Sequence, residues 1–465
     1  MPLSITHRRL LLLLAATTVS LSSGTNYVFS AYAPQLARRL HLTSTQLNLI
    51  GIAGNMGVYT SGPIWGIFID RNGPRGVLAC AAGLILAGYG GMRYLYLTGE
   101  TADKKASARI VWGLALCMLM TGYAASAGLN SSLNTVARSF PSSSRATASG
   151  ITLAGFGLSA FLFSTLAHVV FPGRTEAFLG LLAVGTAVGM LIGVAGVRPI
   201  HAAQGEGYAP VEEEETFGDS PEVRSLALTR SRSTEIIATS DSLPHEEDLE
   251  TDKNLAETHV VPVEMTGTQL FSNLDFWIIT AILTLLSGTG LMYINNVGSV
   301  VLALANAPSS AQPLVAFDPV EVAKVQATQV SVISIWNCIG RISMGMLSDY
   351  AKTRFHINRV WFTLLIALIF LASQLSAQMT TDIQALSRVS ALLGMAYGNM
   401  FALLPIVVLE WFGLANFSMN WGIVSLAPGL GGNVANLIFG RVYDSNVTTH
   451  TTAALERSAT PPPSE

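Results

Sequence analysis

Apolar residues run along this chain in blocks of about 20, the length that crosses roughly 30 Å of hydrocarbon as a helix. Short polar or charged breaks separate them. Eleven blocks stand out by hydropathy, near 10–32, 47–69, 76–98, 109–131, 147–171, 177–197, 275–298, 327–348, 360–379, 387–409 and 419–440. The opening Arg8-Arg9 followed by Leu10 to Leu14 imitates a secretory signal peptide. Its apolar run continues past Gly24 to Pro34, however, long enough to span, and ten further blocks follow. Residues 199–273 break the rhythm: they are rich in Glu, Ser, Thr and Pro, include Glu212 to Glu215, and hold too little apolar surface to fold alone. The expected organisation is a first transmembrane half of six spans (1–198), an acidic disordered cytosolic linker (199–273), a second half with five detected spans (274–441) and a polar tail (442–465).

The halves repeat each other. Ser23-Gly24-Thr25 recurs as Ser287-Gly288-Thr289, and Gly66, Asp70 and Arg75 recur as Gly345, Asp349 and Arg354. A third register sets Gly122, Phe140, Gly150-Ile151 and Gly157-Leu158 against Gly394, Phe412, Gly422-Ile423 and Gly429-Leu430. Three blocks in one order, each spaced for a six-span unit, point to a duplicated bundle, an arrangement common in transporters. Duplication predicts a twelfth span, yet the sequence turns polar after Val442-Tyr443-Asp444, so a shortened chain is the favoured expectation. The sequon Asn446-Val447-Thr448 suits a non-cytosolic tail. Lys and Arg are shared almost evenly between the loops of the first half, so sidedness comes from the repeat instead. The loops bearing Asp70-Arg71 and Asp349 must share a face with the linker, expected to be cytosolic.

Composition agrees. Half of the 465 residues are hydrophobic and 12% are charged, against about a quarter charged in a soluble domain. Acidic residues concentrate in the linker, and no basic face suggests nucleic acid. Cys80, Cys117 and Cys338 fall inside apolar runs and read as packing residues rather than metal ligands or disulfide partners. The pattern calls for no cofactor, no metal and no enzyme activity: there is no nucleotide-binding loop, metal-ligand cluster or nucleophile-base arrangement.

Two kinds of polar residue remain to be explained. The loop from Gly66 to Arg75 is tight and charged. Gly66 lets a neighbouring helix approach, Asp70 can accept hydrogen bonds from a helix N-terminus, and Arg71 and Arg75 offer ion pairs across the gap. Gly345, Asp349 and Arg354 are the second copy of this gating loop. The loop resembles the signature between helices two and three of the major facilitator superfamily. More narrowly, Gly62-Pro63-Ile64-Trp65-Gly66, Gly288 to Asn296 and Gly340-Arg341-Ile342-Ser343-Met344-Gly345 resemble the nodulin-like, fungal monocarboxylate-transporter-homologue branch. That resemblance implies an all-α polytopic membrane protein of two six-helix halves, a cavity lined mainly by helices one, four, seven and ten, and a vacuolar membrane location, with the plasma membrane as alternative. It implies no particular substrate and leaves the coupling ion open.

Inside the spans, Arg341 is the sharpest candidate for binding. It lies eight residues before Asp349, about 12 Å deeper at 1.5 Å per residue. There it either meets an anionic substrate or braces neighbouring helices. Monocarboxylate carriers similarly place an Arg in helix eight with an Asp one turn earlier; here that position resembles Asn337, which cannot titrate. Asn26, Tyr27, Tyr123, Tyr293, Asn295, Tyr397 and Asn399 complete the candidate substrate-binding set, on helices that this architecture turns inward. The expected activity is secondary transport of a small solute across the lipid bilayer, for instance an organic anion such as a monocarboxylate. The alternative is a non-transporting membrane sensor or scaffold acting through the acidic linker.

Overall fold

The computed structural model describes residues 4–99, 107–200, 264–306 and 319–459, and among them all regular structure is helical. Span one is α1 (Ile5–Ser23), a 3-10 turn over Gly24–Val28 and α2 (Phe29–Leu40); span two is α3 (Ser44–Thr60) and α4 (Gly62–Asn72). Spans three to six are α5 (Pro74–Thr98), α6 (Ala108–Ser139), α7 (Arg145–Val169) and α8 (Thr175–Gly196). After a short α9 (Thr268–Phe271) come spans seven to ten: α10 (Leu274–Asn306), α11 (Pro319–Phe355), α12 (Phe362–Gln378) and α13 (Leu386–Phe412). Span eleven is α14 (Phe417–Val424) followed by α15 (Ala427–Ala459). Nine of these stretches are long and apolar enough to cross a membrane, among the described residues. The two expected spans outside that set are the first and second, interrupted at Gly24–Val28 and Ser61.

Local sequence explains the boundaries. Thr43 and Gln46 form a reciprocal capping box that starts α3. Pro63 and Pro74 sit in the first turns of α4 and α5, where a missing N–H costs nothing. Gly413, at φ 92°, ends α13 in a conformation closed to other residues.

The first-half core joins α1, α5, α6 and α8 through Leu12, Val19, Leu78, Tyr89, Leu114, Leu179 and Met190. The second-half core centres on Phe276, Phe370, Leu403, Phe412 and Trp421, and reaches across to Leu133, Ala137 and Leu153 of the first half. Large apolar side chains such as Leu11, Leu116, Leu191, Leu368 and Leu371 remain exposed on the outer surface, as a lipid-facing belt requires. Lipid removes the hydrophobic drive between helices, so close backbone approach takes over. The repeat is visible there: Gly122 lies against Gly54 in the first half, and its counterpart Gly394 against Ile333 in the second.

Three expectations need correction. Residues 264–273, counted above with the disordered linker, are ordered against the second half. The Met265 N–H donates to Phe412 O at 3.1 Å and Glu264 accepts from the Leu414 and Ala415 N–H groups at 3.1 Å each. They adhere because the loop after α13 leaves those backbone groups unpaired. The acidic run at 212–215 lies outside the described residues. The tail at 442–465 begins as helix, since α15 continues to Ala459. Cys80 is exposed on α5 rather than packed, while Cys117 and Cys338 are half-buried.

Candidate substrate cavity and linker-face seals

On the linker face, two seals tie the halves together. Asp70, in the last turn of α4, accepts hydrogen bonds from the Ser418 N–H (3.3 Å) and Met419 N–H (2.9 Å) at the start of α14, from Asn134 Nδ2 (2.9 Å) and from Arg138 (3.3 Å). Asp349 accepts from the Ala146 N–H (3.2 Å), Thr147 N–H (2.6 Å) and Thr147 hydroxyl (2.7 Å) at the start of α7, and pairs with Arg359. Ser418 and Met419 stand to Ala146 and Thr147 in the register that relates Phe412 to Phe140. Each half therefore aims a carboxylate at the same helix N-terminus of the other, where unpaired N–H groups and the dipole favour an anion. Gly66 and Gly345 make this possible: a Cβ on either would strike the carbonyl oxygen of Ser418 or Ala146.

The cations in the seals differ from the expected ones. Arg71, Arg75 and Arg354 are exposed, and none makes an ion pair among the described residues. Successive helix residues are about 100° apart, so with Asp70 facing α14, Arg71 must face elsewhere. Arg138 and Arg359 take the role. Arg138 also donates to the carbonyls of Leu414 (2.9 Å) and Ala415 (2.8 Å), and Arg359 to that of Ser142 (2.8 Å). Leu414 and Ser142 are again repeat equivalents. Arg359 is fully buried between Asp349 and Glu410, and Glu410 also takes Lys352 Nζ at 2.5 Å. This set balances two carboxylates with two cations, which a buried charge needs.

Between the halves lies a cavity of about 320 Å³. Of the candidate residues, Asn26, Tyr27, Asn295, Arg341 and Tyr397 line it; Tyr123, Tyr293 and Asn399 do not. The Tyr293 hydroxyl instead bonds Ser390 Oγ at 2.9 Å, which donates to Gln329 Oε1 at 2.7 Å, a helix-bracing network. Asn399 is buried behind Gly340, and Tyr123 offers its carbonyl to Trp65 Nε1 at 2.9 Å. Sequence reasoning missed several walls. Tyr59 of span two meets the Tyr27 hydroxyl at 3.4 Å, Phe156 comes from span five, Asn130 from span four, and Phe401 and Trp421 from spans ten and eleven.

Arg341 is 3% exposed. Its Nε donates to Asn337 Oδ1 at 2.8 Å and Nη1 to Leu153 O at 3.0 Å, while the rings of Phe156 and Phe401 flank the guanidinium at 5.6 and 5.7 Å. Its other terminal nitrogen, Nη2, makes no hydrogen bond to a described residue. Among the described residues of the cavity wall it is also the sole charged side chain. The Asn26 Oδ1 acceptor is buried in the wall without a partner. Arg341 thus carries its positive charge into a chamber whose described wall residues supply no anion.

The Nodulin-like protein family matches residues 9–218. The chain is 26% identical to a probable transporter, mch1, of Neurospora crassa over 93% of its own length and 80% of the relative's. Its backbone superposes on the proton:xylose symporter XylE, a major facilitator protein, with TM-score 0.60 at 14% identity, covering 96% of this chain and 91% of the other. On the human organic anion transporter MFSD10 the TM-score is 0.57 at 12% identity, over 95% and 94%. The chain thus has the fold of these major facilitator proteins, and its first half is similar to the Nodulin-like family. The fold accounts for the paired seals, since it relates its halves by a pseudo-twofold axis and whatever one half offers the other returns. Arg138 lies one helical turn after Asn134 on α6, and both reach Asp70. No local pattern announced Arg359, which lies beyond a break in the helix.

Proposed function

We propose that the chain is a secondary transporter carrying a small organic anion by alternating access, in a state closed on the linker face. One observation carries this reading: the Arg341 guanidinium, with Nη2 unengaged, faces a chamber whose wall holds no carboxylate among the described residues. A buried guanidinium in a membrane bundle is costly unless paired, and a carboxylate substrate supplies the pair. Asn26, Asn295 and the hydroxyls of Tyr27, Tyr59 and Tyr397 supply neutral hydrogen bonds that orient the rest of the ligand. The relative named a probable transporter and the solved organic anion transporter support this reading. We place the protein in the vacuolar membrane, with the plasma membrane second, and fractionation of a tagged chain tests that.

The functional test is flux into proteoliposomes from a panel of organic acids, amino acids and sugars. Organic acids are expected to move. Arg341→Gln should weaken their binding by about tenfold to a hundredfold, the worth of a hydrogen bond to a charged group, about 1.5–3 kcal/mol. Equal acid affinity in the variant, or flux of neutral sugars alone, would reject the anion assignment.

A further inference from the structure

A second cavity, of about 290 Å³, lies between α3 of the first half and α10 and α15 of the second. It shares Asn55, Tyr59, Leu291 and Asn295 with the Arg341 chamber, so the two adjoin at those side chains. Its outer walls are apolar: Ile52, Met56, Leu426, Leu430 and Val434, each 39 to 65% exposed. Exposure alone would mean little in a lipid-covered protein. These side chains, however, bound a space that adjoins the chamber holding the buried guanidinium. Asn296 and Asn436 are tied to each other at 2.7 Å, and Asn436 to Gly432 O at 2.8 Å, so they hold α10 and α15 together beside it. The two adjoining cavities thus run from one positive charge, past neutral amides, to exposed aliphatic walls.

From this gradient we infer that the substrate is an amphipathic organic anion whose carboxylate sits at Arg341 and whose aliphatic tail lies in the crevice between α3 and α15. A fully hydrated polyol or a compact di-acid would leave the aliphatic walls against water, whereas a hydrocarbon tail buries them. The tail crevice also gives such a molecule a route in from the bilayer side. This assignment rests on the anion reading above and adds the apolar half of the ligand.

Competition binding on purified full-length protein in nanodiscs tests it, using acetate, butanoate, hexanoate and octanoate at known free aqueous concentration. Affinity should rise along the series by roughly fourfold per methylene seated in the crevice, the transfer of one CH₂ from water at about 0.8 kcal/mol. Met56→Trp, which puts an indole into the crevice at an exposed position, should flatten that slope. A wild-type protein that binds all four acids equally, or a slope unchanged in Met56→Trp, would overturn the tail assignment and leave the anion reading standing. Binding of none of them, acetate included, would overturn both.

Discussion

Asp349→Asn is the most informative single change, because it alters one charge and almost no volume at a contact that exists only while the linker face is shut. The carboxylate takes three hydrogen bonds from the start of α7, two from backbone N–H groups and one from the Thr147 hydroxyl. Bonds to a charged acceptor are worth about 1.5–3 kcal/mol each and neutral ones about 0.5–1.5. Asparagine also places an NH₂ group where one oxygen had accepted, facing an N–H donor. Arg359 keeps Glu410 and the Ser142 carbonyl, so the cation is not stranded and the fold is preserved. The net loss is about 3 kcal/mol, acting almost wholly on the closed state, since these bonds join opposite halves. That shifts the closed-to-open ratio by about 150-fold. The reporter is a single cysteine at Ala137, fully buried in the core that unites the halves, in a background lacking Cys80, Cys117 and Cys338. A membrane-impermeant maleimide should modify it faster in Asp349→Asn by up to about that factor. An unchanged rate in a monodisperse protein would show that Asp349 does not hold the face shut.

Asp70→Ala should leave assembly intact and cut turnover by about tenfold or more, because it removes the bonds to α14 and to Arg138 together; full flux at equal abundance would contradict this. Asn337→Asp should place a carboxylate against Arg341 Nε at the present 2.8 Å contact and compete with any anionic ligand. Acid binding at neutral pH should fall at least about tenfold and recover on acidification as the new carboxyl protonates, and a pH-independent affinity would refute the competition.

The span pattern, the duplication and both seal carboxylates were legible because each follows from local periodicity or a repeated motif. Gly66 with Asp70 and Gly345 with Asp349 meet helix N-termini as the loop chemistry required. The cavity was half legible. Asn26, Tyr27, Asn295, Arg341 and Tyr397 face it, but a helix-level rule could not say which polar residues on an inward helix turn toward the chamber and which brace a neighbour. Tyr293 shows the difference, its hydroxyl spent on Ser390. Asn337 was read only as a residue that cannot titrate, yet it orients Arg341 through one hydrogen bond. Arg138 was missed because Asp70 lies 68 residues away in sequence, and Arg359 because, although near Asp349 in sequence, it stands beyond the end of α11, where helical spacing says nothing of its direction.

The two seals use matching carboxylates and matching helix starts, but their guanidinium groups arrive from unlike places, the end of span four in one half and the beginning of span nine in the other. The position equivalent to Arg138 is held by Glu410, of opposite sign. A chimera made of two copies of the first half would therefore bring two span-four arginines and no counterpart to the Glu410 cluster. Each lock can be retuned on its own, and an engineer who wished to bias the resting state could loosen one while the other stays fastened.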